Sequence, residues 1–123
     1  MTYQRLSLGR WGEDIAAGYL RRQGMKILDR NIRTPVGELD IVARHKRMLI
    51  FVEVKTRRGI SHGYPQEAVG AAKQRQILRA AQWYLAERRL DRLQPRFDVI
   101  AVRRRGDEAE VEHFPGAFDV DGW

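Results

Sequence analysis

The sequence predicts an α/β domain in which helices pack on a β-sheet, and three observations predict it. Two stretches carry apolar residues at helical spacing, around Trp11–Leu20 and Ile77–Leu85. Between and after them lie runs of alternating or continuous apolar character, GELDIVA, MLIFVEV and FDVIAV. The breaks between these runs fall on Gly, Pro or short basic stretches, giving the order αβββαββ.

The first helix covers residues 8–23. Trp11, Ile15, Ala16, Tyr19 and Leu20 form one stripe, and Gly24 is a natural C-terminal stop. Lys26–Arg33 reads as the first strand, punctuated by Pro35 and Gly37. Glu38–Arg44 and Met48–Thr56 form a hairpin around a basic turn at His45–Arg47, and Arg57–Pro65 reads as loop. A long helix covers Val69–Arg89, with Ile77, Ala80, Ala81, Tyr84 and Leu85 on one face. Phe97–Val102 is a buried-type strand, and Glu110–Phe114 makes another after the Arg103–Gly106 turn. The tail PGAFDVDGW has no pattern that places it. With no repeat or linker, residues 1–123 are expected to form one domain.

Composition narrows the partner. The chain has 23 Lys and Arg against 16 Asp and Glu, a net charge of +7, which favours a polyanionic partner, nucleic acid before an acidic membrane surface. Cysteine is absent, which excludes disulfides, thiolate metal sites and cysteine nucleophiles. The longest uninterrupted apolar run is MLIFV, far too short to span a bilayer, and the N-terminus has no apolar leader. A cytoplasmic location is expected.

The hairpin carries the chemistry. Side chains of like parity share a face of a strand, so Ile50, Val52 and Val54 point one way while Glu53 and Lys55 point the other. Paired residues of a tight hairpin sum to a constant, 91 or 93 depending on the turn, and either register gathers Glu38, Asp40, Glu53 and Lys55. The requirement is that no bulge interrupt the alternation. Two carboxylates about 4 Å apart repel by roughly 4 kcal/mol at an effective dielectric near 20. A hard divalent cation such as Mg²⁺ or Mn²⁺ relieves that repulsion with oxygen ligands. Zinc suits the sequence poorly, because cysteine is absent and His45, His62 and His113 are scattered. A metal, a lysine beside it and a basic surround add up to phosphodiester hydrolysis. The alternative is a solvent-facing hairpin with ordinary cross-strand ion pairs.

Asp40 followed after twelve residues by Glu53-Val54-Lys55 resembles the D…(D/E)xK signature of the PD-(D/E)xK nuclease superfamily. GRWGEDIAAGYL, the Asn31-x-Arg33 pair, GELDIVA, FVEVKTR, the Gly63-x-Pro65 break and RFDVIAV resemble the YraN family of small bacterial endonuclease-like proteins over nearly the whole chain. That family is similar to archaeal Holliday-junction resolvases. The resemblance implies a restriction-endonuclease-like αβββαβ core with a mixed sheet flanked by helices, Mg²⁺ dependence and a DNA substrate. It implies Asp40 and Glu53 as metal ligands, Lys55 as the water-positioning base and Glu13 as a further metal or water ligand. At 100° per residue Glu13 lies about 20° from Leu20, at the stripe's margin, while Asp14 points away. Gly12 sits near the stripe's centre, where a missing side chain lets the helix approach the sheet. Leu39 stands where the superfamily's label has proline. Glu38 reads as a supporting acid behind the ligands, with a ligand itself or a partner for a surface arginine as the alternatives.

Arg57, Arg58, Lys73 and Arg75 are the expected nucleic-acid contacts, with Arg79 and the Arg103–Arg105 knot as further basic surface. Trp83 and Tyr84 are candidates for base stacking, although the spacing of Tyr84 favours the core. A resolvase-like role favours a homodimer presenting two sites to opposite strands. The competing readings are a nucleic-acid-binding module that cuts nothing and an adaptor that docks a protein.

Overall fold

The computed structural model describes residues 2–58 and 69–119. Its elements are α1 (Thr2–Arg22), β1 (Lys26–Thr34), β2 (Gly37–His45), β3 (Met48–Arg58), α2 (Ala71–Glu87), β4 (Gln94–Arg105) and β5 (Glu108–Phe114). The five strands form one sheet in the order β1-β2-β3-β4-β5. Neighbours are antiparallel except β3 and β4, which run parallel with Phe51 opposite Phe97. The expected α/β class and mixed sheet are therefore present, and β3, α2 and β4 make a crossover unit.

Helix α1 starts earlier than the apolar stripe announces, because residues 2–7 contain no Gly or Pro to stop it. It ends where Gly24 predicts. Gly24 has φ +87°, its N–H donates to the Arg21 carbonyl at 3.0 Å, and the Met25 N–H donates to the Leu20 carbonyl at 3.0 Å. These two bonds satisfy carbonyls that the helix end leaves open.

The sheet is buried on both faces, which is why its central strands read as nearly continuous apolar runs. Ala16, Ala17 and Leu20 of α1 pack on Ile41, Ala43, Ile50, Val52, Ile100 and Val102. Ile77, Ala80, Ala81, Tyr84 and Leu85 of α2 pack on Leu39, Val42, Leu49, Phe51, Phe97 and Val99. Tyr84 is thus a core residue, its hydroxyl donating to Asp29 Oδ2 at 2.7 Å. Trp83 is half-buried against the same core.

The tail finds a place that no pattern announced. Phe118 stacks on Phe97 with centroids 5.3 Å apart, and the Ala117 N–H donates to the Phe97 carbonyl at 2.8 Å. The expected loop break at Gly63-x-Pro65 and the last residues, 120–123, lie outside the described residues.

Candidate metal and nucleic-acid site

The site forms where β2 and β3 part. Their ladder runs from His45–Met48 to Ile41–Val52, so the paired positions sum to 93 and the turn is Lys46–Arg47. Ladder pairing stops one position short of Asp40 and Glu53. The alternation also breaks here. Leu39 and Val42 both face α2, whereas Ile41 and Ala43 face α1. On the other side of β2, the pairs Ile32–Leu39 and Arg30–Ile41 flank an unpaired Asn31 and Asp40, and Asn31 has φ +52°.

The sequence reading required an uninterrupted hairpin, and that requirement is not met. The two acids meet nevertheless. With no β2 backbone opposite it, the Val54 N–H donates instead to Asp40 Oδ2 at 2.9 Å. The carboxylate fills the gap between the diverging strands and comes within hydrogen-bonding reach of Glu53. Glu53 is 7% exposed, and its Oε1 lies 3.7 Å from Lys55 Nζ and 3.8 Å from Lys73 Nζ.

Burial and proximity set the protonation of this pair. Loss of water raises the Asp40 carboxyl above its ordinary range, against the Val54 hydrogen bond and the Lys73 and Lys55 charges. Glu53 is pushed up to about 7 by burial first and by the Asp40 charge second, with Lys73 and Lys55 opposing. Two carboxylates so close share a proton or hold a cation.

Glu13 faces the same opening. With Leu8, Gly9, Asp40, Glu53, Val54 and Thr56 it lines a cleft of about 360 Å³. Burial and the Asp40 charge raise its carboxyl, while a hydrogen bond to the Asn31 side chain and the Arg30 charge oppose the rise. Asn31 is therefore a site residue whose role the sequence did not disclose, although its position in an Asn-x-Arg pair marks it. Asp14 points away, as expected, and pairs with Arg30 at 2.6 Å.

Gly12 allows this placement of Glu13. A Cβ at residue 12 would lie 1.9 Å from Thr56 Oγ1 and 2.8 Å from its Cγ2. Only a bare Cα lets α1 rest on β3. Gly12→Ala is expected to force α1 or Thr56 aside at a cost of about 1–3 kcal/mol. Thermal unfolding would measure it, and Gly12→Ala combined with Thr56→Gly should recover much of the loss. An unchanged melting temperature in the single variant would contradict the contact.

The other sequence-predicted residues separate into groups. Glu38 does not join the pair. Its carboxylate lies 3.3 Å from Arg33 Nε, with both side chains mostly exposed, because the strands have already diverged at that point. Lys73, expected as a phosphate contact neighbouring the metal, reaches Glu53 itself. Arg75 and Arg79 line a shallow groove of about 440 Å³ with Lys73, Val36, Ala72 and Gln76. Arg57 is exposed at the end of β3, and the Arg58 side chain lies outside the described part. The Arg103–Arg105 knot is engaged within the fold. Arg104 lies 5.6 Å over the Trp11 ring, and Arg105 pairs with Glu110 at 2.9 Å.

Among the described residues, no three of His, Asp and Glu are gathered closely enough to hold an ion together. The residues present still fit a hard divalent cation. Asp40 and Glu53 offer oxygen donors whose mutual repulsion a cation would relieve, and the open cleft leaves room for the waters that Mg²⁺ keeps. Glu13 stands on the wall of that cleft.

Comparison with known proteins supports the resemblance seen in the sequence. Residues 12–102 match the model of the uncharacterised protein family UPF0102. The chain belongs to the UPF0102 family. The matched segment includes Glu13, Asp40, Glu53, Lys55, Lys73 and Arg75. The chain is 45% identical to a UPF0102 protein of Desulforapulum autotrophicum over 121 residues, covering 98% of this chain and 100% of the relative. It is 47% identical to a UPF0102 protein of Geobacter metallireducens over 120 residues, 98% of each chain. A UPF0102 protein of Anaeromyxobacter dehalogenans is 48% identical over 119 residues, 96% of this chain and 88% of the relative. This is the YraN family of the sequence analysis, and these relatives carry no function in their names. Among the described residues, no helix of this UPF0102 protein is long and apolar enough to cross a membrane.

Proposed function

We propose that this UPF0102 protein is a metal-dependent endonuclease that hydrolyses DNA phosphodiester bonds, with branched or recombination intermediates as its substrates. The observation that carries this reading is the meeting of the largely buried Asp40–Glu53 pair at an open cleft beside Lys55. Asp40 and Glu53 would hold Mg²⁺ or Mn²⁺, and Glu13 would orient a water of its shell. When bound, the cation would stabilise negative charge developing on the phosphate and make a bound water more acidic. The ammonium of Lys55, held beside Glu53, would donate a hydrogen bond that orients the attacking water, whose proton would leave to solvent. The Val54 N–H fixes one oxygen of Asp40 and so orients the carboxylate that lines the cleft. Arg57, Arg58, Lys73 and Arg75 supply positive charge for backbone phosphates, contacts that position a strand without reading its bases. Two sites on a homodimer would address two strands of a junction.

The test is incubation of the purified protein with junction, flap and linear DNA in Mg²⁺, Mn²⁺ or EDTA. Cleavage is expected only with the metals, and Asp40→Asn and Lys55→Ala should each lower its rate by at least about 10²-fold. Asp40→Asn should bind DNA as well as wild type or better, since it removes a negative charge near the phosphate. Cleavage that persists in both variants would come from another protein and would end this reading. The incomplete gathering of carboxylates favours one second reading, a nucleic-acid-binding module that does not cut. Binding without cleavage of any of the three DNA forms in either metal would select it.

A further inference from the structure

Lys73 stands closer to the carboxylates than a phosphate contact needs to. It belongs to the first turn of α2, a turn with no acidic residue, and the Gly70 N-cap supplies no side-chain hydrogen bond. A cation there opposes the positive end of the helix dipole. Something must hold it, and the neighbour 3.8 Å away is Glu53 Oε1.

The two lysines on Glu53 are not equivalent. Lys55 lies two residues along the same strand, so its backbone origin is fixed relative to Glu53. Lys73 arrives from a separate element on a flexible stem and is 39% exposed beside the groove of Arg75 and Arg79. Neither lysine is within hydrogen-bond distance of Glu53, so charge attracts Lys73 and no directional bond locks it. Its charge also weighs more on both Asp40 and Glu53 than that of Lys55.

We infer that Lys73 is the displaceable internal counter-ion of the Asp40–Glu53 pair, occupying electrostatically the place that a divalent cation takes. Asp40 and Glu53, when ionised, are balanced in charge by Lys55 and Lys73, which leaves Glu13 as the further carboxylate on the metal-free cleft. A divalent cation on the same carboxylates makes the cleft net positive. That repels the lysine least anchored there, which swings toward the groove where a phosphate would lie. Lysine and metal therefore compete, and Lys73 lowers the affinity of the site for its ion. This inference rests on the proposed function, because it takes Asp40 and Glu53 as the ligands.

Calorimetric titration of the full chain with Mn²⁺ tests it without any cleavage assay. Lys73→Gln should bind Mn²⁺ more tightly than wild type, on the order of fivefold. Lys73→Arg keeps the charge and should stay near the wild-type value. Arg92→Gln, an exposed charge loss far from the cleft, should also leave the value unchanged. Asp40→Asn should weaken binding at least about tenfold. If Lys73→Gln binds Mn²⁺ no more tightly than wild type while Asp40→Asn binds weakly, the counter-ion role is overturned and the ligand assignment stands. If Asp40→Asn binds as wild type does, the ligand assignment itself is lost. Thermal melts of every variant ensure that folded proteins are compared.

Discussion

Asp98→Ala is expected to cost about 3–5 kcal/mol of stability, the range found when one partner of a buried ion pair is removed. Asp98 is 0% exposed and sits on β4 facing α1. It accepts hydrogen bonds from Arg96 Nε at 2.9 Å and Arg96 Nη2 at 2.8 Å, and from the Gly116 N–H at 2.9 Å. His113 Nε2 lies 2.7 Å from Oδ2. An ionised carboxylate only accepts, so Nε2 donates to it, and Nδ1 meets the Tyr19 hydroxyl at 3.2 Å. One carboxylate thus ties together α1, β4, β5 and the segment that carries Phe118. Its removal strands the Arg96 guanidinium and the His113 ring while leaving the sheet's apolar faces intact.

The same network gives the expected response to acid. Burial alone would raise the Asp98 carboxyl, but hydrogen bonds from His113, Arg96 and Gly116 outweigh it and hold the group below its ordinary value of 3.8. A carboxyl depressed on folding contributes stability that is fully present above its unfolded value. That contribution disappears as pH falls below 3.8 toward the depressed folded value. Urea melts should show wild type and Asp98→Ala far apart at pH 7, with the gap closing in strong acid. A difference under about 1 kcal/mol at pH 7 would show that Arg96 and His113 find other partners.

Glu53→Gln is expected to act in the opposite direction and stabilise the metal-free protein at pH 8, by on the order of 2 kcal/mol. Burial and Asp40 raise Glu53 from 4.5 to about 7, so the folded state prefers the neutral group. The sign follows from linkage. A raised carboxyl leaves stability complete below 4.5, and stability is lost as pH rises through about 7. The amide carries no charge to be penalised. Wild type and variant should therefore melt alike near pH 4.5 and diverge as pH rises, by roughly 8 °C at pH 8. Mg²⁺ should narrow the gap by stabilising wild type alone. Equal melting temperatures at pH 8 without metal would mean that Lys55 and Lys73 already neutralise Glu53 fully. A cleft that gains stability when a buried acid is neutralised is one whose charges are not arranged for folding alone.

The sequence alone determined the elements, their order and the faces they bury. Helical spacing selected the five α2 residues that the core encloses, and Gly24 marked the end of α1. Gly12 announced a close helix–sheet approach, and the structure shows it against Thr56. These features are local, decided by 3.6- and 2-residue periods and by glycine's missing side chain. The meeting of Asp40 with Glu53 was anticipated for a reason that proved incomplete. Alternation breaks at Asp40, and the acids meet because the strands diverge and a carboxylate caps the freed Val54 N–H.

Only the tertiary structure decided the rest. Lys73 is eighteen residues beyond Lys55, on another element, yet both sit on one oxygen of Glu53. Glu38, two residues from Asp40, is directed to Arg33 instead. Asp98, which reads as a lone charge in an apolar strand, is satisfied by groups from β4, β5 and the tail. Such contacts depend on how far strands splay and where a helix lands across the sheet. Those distances are set by packing of the whole chain, and no periodicity in a single segment encodes them.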